Sequence, residues 1–128
     1  MKLKVFQPSH VFLDQEVDKV SAEGPEGAFG ILPRHLDMAA ALLPGILTYW
    51  PTGRGESFMA INGGILVKQG VTVLVATRLA VSGELGLLHE TVNRFINEMD
   101  DRERKTRSAV ARLEADFVRR FVEFGKNA

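Results

Sequence analysis

The chain has 128 residues, enough for one domain of ordinary size or for a small domain with an appended segment, which excludes two large domains. Sixteen basic residues balance sixteen acidic residues, so no net charge draws the chain to nucleic acid or to an anionic membrane. The absence of cysteine excludes disulfides and thiolate chemistry, and we expect neither a signal peptide nor a membrane-spanning helix because no long apolar run is present.

The first part of the chain, residues 1–83, predicts β-strands. It contains all five prolines and all but two of the twelve glycines, which separate short runs rich in β-branched and aromatic residues. Many short strands at this spacing are typical of a sandwich or a barrel. We expect a two-residue hairpin turn at Gln69-Gly70, and a bulge or a second turn at Asn62-Gly63-Gly64.

Three glycines at a three-residue spacing, Gly24, Gly27 and Gly30, lie within the run EGPEGAFGILPRH. A phosphate-binding loop would place a lysine and a hydroxyl after the glycines, at the start of a helix. Neither residue type follows here, and Pro33 does not continue a regular element. We therefore interpret the glycines as tight turns between short strands, where glycine adopts positive φ without a steric penalty.

The second part, residues 84–128, contains no proline and predicts helix. Apolar residues follow helical spacing in two series, Leu85, Leu88, Val92, Phe95, Ile96 and Met99, then Val110, Leu113, Phe117, Phe121 and Phe124. Ser82 and Asp100 are candidate N-caps, with Glu84 in the first turn after Ser82 and Glu103 three residues after Asp100, which predicts two helices with a joint near residue 100.

Charge patterning at the same joint favours the opposite outcome. Four acid-to-base pairs have four-residue spacing: Glu98 with Arg102, Asp100 with Arg104, Asp101 with Lys105, and Glu103 with Arg107. Each pair stabilises an unbroken helix by about 0.2–0.5 kcal/mol, and their sum is close to the contribution of a good cap. These residues alone therefore support both a hairpin and a continuous helix.

No catalytic or metal-binding set emerges from the sequence. The three histidines, His10, His35 and His89, are far apart and have no ligand spacing. Asp14, Glu16 and Asp18 alternate along one predicted strand, and we interpret them as a solvated charged face. Ser9-His10 is a pair of sequence neighbours, and the chain has no nucleophile elbow. An enzyme acting alone is disfavoured, and we predict no cofactor and no metal.

Several linked motifs nevertheless occur in a specific order. They comprise Gly24, Glu26, Gly27, Gly30, Ile31, Pro33 and His35, then Pro44-Gly45, then Gly63-Gly64-Ile65-Leu66. This order resembles the epsilon subunits of bacterial F-type ATP synthases, and the match covers the first 83 residues nearly continuously. The division into strands followed by helices is also similar to that family.

The resemblance implies an all-β sandwich of about ten strands at residues 1–83, followed by a C-terminal α-helical hairpin at residues 84–128. It further implies a non-catalytic subunit of the central stalk that couples the gamma subunit to the membrane c ring during rotary, ion-driven ATP synthesis or hydrolysis. Such a subunit lies at the cytoplasmic face of the bacterial plasma membrane, attached only through the complex. Its helices contact beta and alpha transiently, and they extend from a hairpin to restrain ATP hydrolysis.

The resemblance also implies contact residues. Those for the c ring are Glu26, Ala28, Phe29, Gly30, Arg34 and His35. Some family members carry an acidic residue where this chain has Ala28, so Phe29, Arg34 and His35 are the better candidates. A local basic stretch suits an acidic surface on beta and comprises Arg102, Arg104, Lys105, Arg107 and Arg112. The alternative is that these five side chains simply face water or pair within the helix.

ATP binding is not expected. Some bacterial family members bind ATP through a Leu-Asp-x-x-Arg-Ala run, whereas the matching stretch here, residues 85–90, reads LGLLHE and lacks both the aspartate and the arginine. An alternative function is a free β-sandwich protein-binding module with a helical oligomerisation tail. That alternative explains the two-part layout but does not explain the ordered glycine motifs.

Overall fold

The computed structural model describes the backbone of residues 1–127 and the side chains of residues 1–120. The strands are β1 (Lys2–Gln7), β2 (His10–Gly24), β3 (Gly27–Ile31), β4 (Met38–Pro51), β5 (Ser57–Gln69), β6 (Thr72–Ala76) and β7 (Ala80–Ser82), and they precede one helix, α1 (Leu85–Asn127). A strand-rich first part followed by a helical second part is therefore confirmed. The side chains of Phe121 and Phe124 lie outside the described residues.

One hydrogen-bonded sheet contains all seven strands and closes on itself. Its order is β1-β6-β5-β4-β2-β3, β1 also pairs with β2, and β7 pairs with β5. The β1–β6 pair is parallel, and the other pairs are antiparallel. The core between the strands consists of Leu3, Val5, Val17, Val20, Ala22, Ile31, Leu42, Leu47, Tyr49, Met59, Ile61, Leu66, Val73, Val75 and Ala80.

Near the middle of each of the three long strands, β2, β4 and β5, the side chains that face the core change from one face of the strand to the other. The reversals lie between Val17 and Val20 in β2, between Leu42 and Gly45 in β4, and between Ile61 and Leu66 in β5. In β2 the reversal coincides with a register shift opposite β4. The predicted count of about ten strands is wrong for the described chain, because these three strands continue through the reversal instead of ending there.

Gly63 and Gly64 occupy the reversal in β5 with φ values of 68° and 135°. The strand continues through them, and its register with β4 is the same on both sides, so neither the predicted bulge nor the predicted second turn is present. A Cβ at position 64 would overlap the carbonyl oxygen of Ala76 in β6. This close approach explains why position 64 requires glycine, while the positive φ favours glycine at both positions.

The predicted hairpin after β5 is confirmed, one residue later than expected. Gln69 pairs with Thr72, so the two loop residues are Gly70 and Val71. Gly70 has φ 58°, which is the left-handed conformation that tight two-residue hairpins require.

The first turns of α1 pack on the outer face of the sheet. Leu88 and Phe95 are buried with Ala60 of β5, and Ile46, Phe58, Val81 and Val92 pack around them. The Leu88 N–H donates to the Glu84 carbonyl oxygen at 3.0 Å, so the helix begins at Leu85. The predicted cap at Ser82 is wrong, because that residue ends β7.

The helix continues through the position where a joint was predicted. Residues 85–127 form one α-helix, so the predicted hairpin is not the conformation of this structure. Within it Arg107 pairs with Glu103 at 2.7 Å and Arg104 pairs with Asp101 at 2.9 Å. Asp100 would have to leave helical geometry to act as a cap, and the ion pairs within the helix oppose that change.

The chain forms two compact units, and the second begins at Ile96. The predicted boundary between residues 83 and 84 stays a prediction. No helix within residues 1–127 combines the length and apolar character needed to cross a bilayer.

Candidate functional site

Two exposed segments lie at opposite ends of the short strand β3, and both belong to the run that carries the glycine spacing. The hairpin tip consists of residues 24–27, where Gly24 pairs with Gly27 and Gly27 has φ 117°. The His35 loop consists of residues 32–37 and leads into β4. Five residue steps, from Gly27 to Leu32, separate the two segments by roughly 17 Å, at the usual rise of an antiparallel strand.

The hairpin tip presents short and polar groups to solvent. Pro25 and Glu26 form the turn, and both are exposed. Ala28 lies opposite Glu23 in the β2–β3 pair, and both side chains are also exposed. The predicted contact residues Glu26 and Ala28 are therefore on an accessible surface.

Phe29 points to the opposite face of β3 from Ala28. It pairs with buried Ala22, and its half-buried side chain packs against the core. A Cβ at Gly24 would lie 3.3 Å from Cε1 of the Phe29 ring, so the ring supports the tip. Only part of Phe29 is available to a partner, which distinguishes it from the other predicted contacts.

Gly30 is exposed and provides space for a neighbouring side chain. A Cβ there would meet the Lys19 side chain at 3.2 Å, and the Lys19 ammonium lies 5.0 Å from the ring centroid of Trp50. The absence of a side chain at position 30 thus leaves room for the Lys19 side chain, which makes a cation–π contact with its cross-strand partner Trp50 on β4.

A groove of about 510 Å³ separates the hairpin tip from the beginning of β4. The residues that line it are Gly24, Pro25, Glu26, Gly27, Ala28, Phe29, Met38, Ala40 and Ala41. Most of these side chains are small, so the groove lets the backbone of another chain approach closely.

The His35 loop is a tight turn, and all six of its residues, 32–37, are exposed. The His35 N–H donates to the Leu32 carbonyl oxygen at 2.9 Å, and the His35 Nδ1 lies 2.8 Å from the Leu36 carbonyl oxygen. Arg34 and His35 are exposed, as expected for contact residues. Leu36 is 82% exposed, and it is an apolar contact candidate that the sequence reasoning missed.

The His35 loop is fastened to the β5–β6 turn by two charged side chains. Lys68, only 1% exposed, donates through Nζ to the His35 carbonyl oxygen at 2.9 Å and also to the Gly70 carbonyl oxygen. The Gly70 N–H donates to Asp37 Oδ1 at 2.8 Å. Sequence reasoning missed Lys68, although strand alternation places it on the same face as buried Leu66.

The predicted basic stretch lies in the second unit, and its five side chains are exposed. Arg104 and Arg107 each pair with an acidic residue on the helix itself. The salt bridges found within residues 1–120 do not include Arg102, Lys105 or Arg112. The stretch therefore combines internal pairing with cationic groups that face solvent.

Two further observations concern ionisable side chains in the described part of the chain. No group of three or more His, Asp or Glu side chains there could hold a metal ion. Burial raises the pKa of the Tyr49 hydroxyl above 10.0, and a hydrogen bond with Ser57 partly opposes that shift. Tyr49 belongs to the core near the end of β4, where it pairs with Val20 of β2.

Comparison with protein families gives a match over most of the chain. The family described as "ATP synthase, Delta/Epsilon chain, beta-sandwich domain" matches residues 1–91. The ATP synthase epsilon chain of Sulfurovum sp. (strain NBC37-1) is 30% identical over 119 residues, which is 89% of this chain and 93% of that relative. ATP synthase epsilon chain 2 of Cereibacter sphaeroides is 34% identical over 122 residues, covering 93% of this chain and 84% of the relative.

Two solved structures are also similar. A chain of the Euglena gracilis mitochondrial ATP synthase, in a structure of OSCP, F1 and the c-ring in rotational state 1, has 26% identity and a TM-score of 0.61. A chain from the central stalk and c-ring of the Tetrahymena thermophila mitochondrial ATP synthase has 16% identity and a TM-score of 0.55, a likeness of fold. The aligned region covers 75% and 63% of this chain, and 61% and 65% of the two neighbouring chains respectively.

Proposed function

The chain belongs to the ATP synthase delta/epsilon chain family, as an epsilon chain of the bacterial F-type enzyme, and from that premise we propose that it couples the gamma subunit to the membrane c ring in the central stalk. In this role it transmits rotation during ion-driven ATP synthesis or hydrolysis and has no active site of its own. It would lie at the cytoplasmic face of the plasma membrane, held there through the complex.

The observation that carries the proposal is the accessible surface formed by the hairpin tip and the His35 loop. Its glycines and alanines allow close approach of a partner backbone, while Glu26 and Arg34 supply opposite charges that polar loops of a c subunit can match. We assign the c-ring contact to this surface, with Phe29 supporting the tip from behind. Leu36 adds an exposed apolar side chain to the same contact.

We propose that the gamma subunit binds the β-sandwich, the closed sheet formed by strands β1 to β7, rather than helix α1. The ordered motifs and the family match lie mainly in the strands, and the sandwich has a complete core of its own. Exposed apolar side chains, among them Leu43 and Ile65 of the sheet and Val71 of the β5–β6 turn, supply surface for a lasting subunit contact.

The second half of α1 is proposed to restrain ATP hydrolysis by contacting beta, with alpha nearby. Two features support this: the exposed basic stretch, and the exposed apolar residues Met99, Val110 and Leu113 at helical spacing. We further propose that a folded hairpin with a joint near residue 100 is a second conformation of the tail. A few kcal/mol between two such forms is enough for a partner to select one.

Arg34→Glu tests the c-ring contact, with Arg54→Glu as the matched control. Both arginines are exposed, but Arg54 lies in the turn after β4, at the other end of that strand from the His35 loop. In membranes carrying the assembled synthase we expect Arg34→Glu to lower ATP-driven ion transport per ATP hydrolysed, and Arg54→Glu to leave it unchanged. Unaltered coupling and assembly with Arg34→Glu would contradict the contact. Arg34 is a cleaner probe than Phe29, whose replacement would also disturb the core.

Truncation after Glu98 tests the restraint by the tail, because it keeps the buried anchors Leu88 and Phe95. We expect faster ATP hydrolysis by the assembled complex than with the full chain. An unchanged rate at low and high nucleotide concentration would mean that the tail serves assembly or stability alone. Truncation after Gly83 is a poorer test, since it also uncovers the apolar face of the sheet around Ala60.

Co-purification separates this function from a free binding module. A stalk subunit purifies with alpha, beta, gamma and c subunits. A free module with an oligomerisation tail purifies without them, as a complex of its own copies.

A further inference from the structure

Lys68 is a buried cation whose hydrogen-bond partners are backbone oxygens. It lies one residue before the end of β5, opposite Met38 of β4 and Val73 of β6. Lys68 is 1% exposed, and within residues 1–120 no carboxylate lies at ion-pair distance from its ammonium group. Burial of an ammonium is costly unless its donors are satisfied, so the carbonyl groups around Lys68 must hold fixed positions.

Those carbonyl groups belong to two different segments. One is the His35 carbonyl in the His35 loop, and the other is the Gly70 carbonyl in the β5–β6 turn. Lys68 therefore joins the loop to the turn from inside the protein.

A second bond joins the same two segments from outside. The Gly70 N–H donates to the carboxylate of Asp37, the last residue of the loop. The Gly70 carbonyl oxygen thus accepts a hydrogen bond from the Lys68 ammonium, and the Gly70 N–H donates one to the Asp37 carboxylate. Charged partners make both hydrogen bonds stronger than bonds between neutral groups.

We infer that Lys68 is a positioning residue for the c-ring contact, holding the backbone of the His35 loop so that Arg34, His35 and Leu36 face the partner together. The inference rests on the proposed function of that loop. Lys68 itself touches no partner, since it is buried beneath the loop. An apolar side chain at position 68 would fill the same space but leave the His35 and Gly70 carbonyl groups without their donor.

Hydrogen exchange in the full-length chain tests the fastening without any partner. Lys68→Met keeps an unbranched side chain of similar length but removes the donors. We expect it to speed amide exchange at His35 and Gly70 about tenfold, since each bond to a charged group resists local opening, with no change at Leu66 and Val73. Asp37→Asn removes only the charge from the second bond, because an amide oxygen can still accept from the Gly70 N–H, and we expect it to speed exchange at Gly70 less than Lys68→Met does. Unchanged exchange at His35 and Gly70, or equal acceleration throughout β5 and β6, would overturn the inference.

Coupling in the assembled synthase tests the consequence, with Arg34→Glu measured in parallel. We expect Lys68→Met to lower ion transport per ATP hydrolysed in the same direction as Arg34→Glu. If Lys68→Met loosens the loop and Arg34→Glu alone lowers coupling, the positioning role is overturned and the contact is retained. If the loop loosens and neither variant alters coupling, the proposed contact itself is overturned.

Discussion

Replacing Gly64 by alanine tests the close approach of β5 and β6, with Gly70 as an internal reference. Both glycines have positive φ. Alanine costs about 1–2 kcal/mol at Gly70, whose φ of 58° is in the left-handed helical region, and at least as much at Gly64, whose φ of 135° lies outside it. At Gly70 a Cβ meets no atom within 4 Å, so the conformational cost is the whole effect. At Gly64 the Cβ overlaps the Ala76 carbonyl oxygen, and β6 must move away from β5.

The movement adds a second cost at Gly64. Separating the strands weakens one or two ladder hydrogen bonds and local packing, which adds about 2–3 kcal/mol. We therefore expect Gly64→Ala to lose roughly 3–5 kcal/mol of unfolding free energy, against about 1–2 kcal/mol for Gly70→Ala. Since small domains have about 5–15 kcal/mol of stability in total, Gly64→Ala is close to the limit of folding.

Urea unfolding of the full chain measures the difference, followed by the fluorescence of Trp50, the single tryptophan of the chain. Gly63→Ala gives an intermediate case, because its φ is 68° and its Cβ would lie 3.1 Å from the Leu42 carbonyl oxygen. The expected loss of unfolding free energy increases from Gly70→Ala to Gly63→Ala to Gly64→Ala. If Gly64→Ala destabilises no more than Gly70→Ala, the strands do not need glycine there and the reasoning fails.

Two further predictions concern the core. The single tyrosine of the chain, Tyr49, should titrate above pH 10.0 by phenolate absorbance. Because Tyr49 loses its proton at lower pH in the unfolded state than in the folded state, its contribution to the free energy of unfolding is complete below pH 10.0 and falls as pH rises above that value. Ser57→Ala should raise the pKa of Tyr49 further, because it removes the hydrogen bond that lowers it. A titration midpoint at the ordinary tyrosine value would refute burial as the cause of the shift. In thermal unfolding, Leu88→Ala should lower the free energy of unfolding by about 2–5 kcal/mol. Leu113→Ala, at a side chain that is 69% exposed, should change it by less than about 0.5 kcal/mol. Equal losses in the two variants would contradict the packing of α1 on the sheet.

The strand count shows where local sequence signals end. Alternation and turn residues predict a strand-rich first part of the chain, but the expectation that prolines and glycines separate short strands fails at Pro44 and Gly63. In the structure those residues mark a change of inward face while hydrogen bonding continues. Proline and glycine occur both where a strand changes its inward face and where a strand ends. Only hydrogen bonding to a neighbouring strand distinguishes the two cases.

The helix joint could not be predicted for an energetic reason. A cap at Asp100 and the acid–base pairs around it contribute similar small free energies. The continuous helix forms one of the predicted pairs, Glu103 with Arg107, while Arg104 pairs with Asp101 at a spacing not predicted.

The resemblance to a known family pointed to the hairpin tip and the His35 loop as a contact, and that contact stays a prediction. The exposure of Glu26, Ala28, Arg34 and His35 is consistent with it, but the internal support of the loop was not predicted. Lys68 binds a carbonyl group 33 residues away in sequence, and any residue type can supply a backbone carbonyl. Such a bond leaves no pattern in the sequence, whereas the exposed contacts do.

The double pairing of β1 has a consequence for biosynthesis. The partner of β1 on one side, β2, follows immediately, but the partner on its other side, β6, ends at Ala76. A ribosome must therefore release most of the sandwich before the sheet can close, and contacts of such long range slow folding. Until then the nascent chain carries open edges on β1 and β5, which are sites for mispairing with other chains. Translation that pauses just before β6 would prolong this interval and should increase the demand for a chaperone.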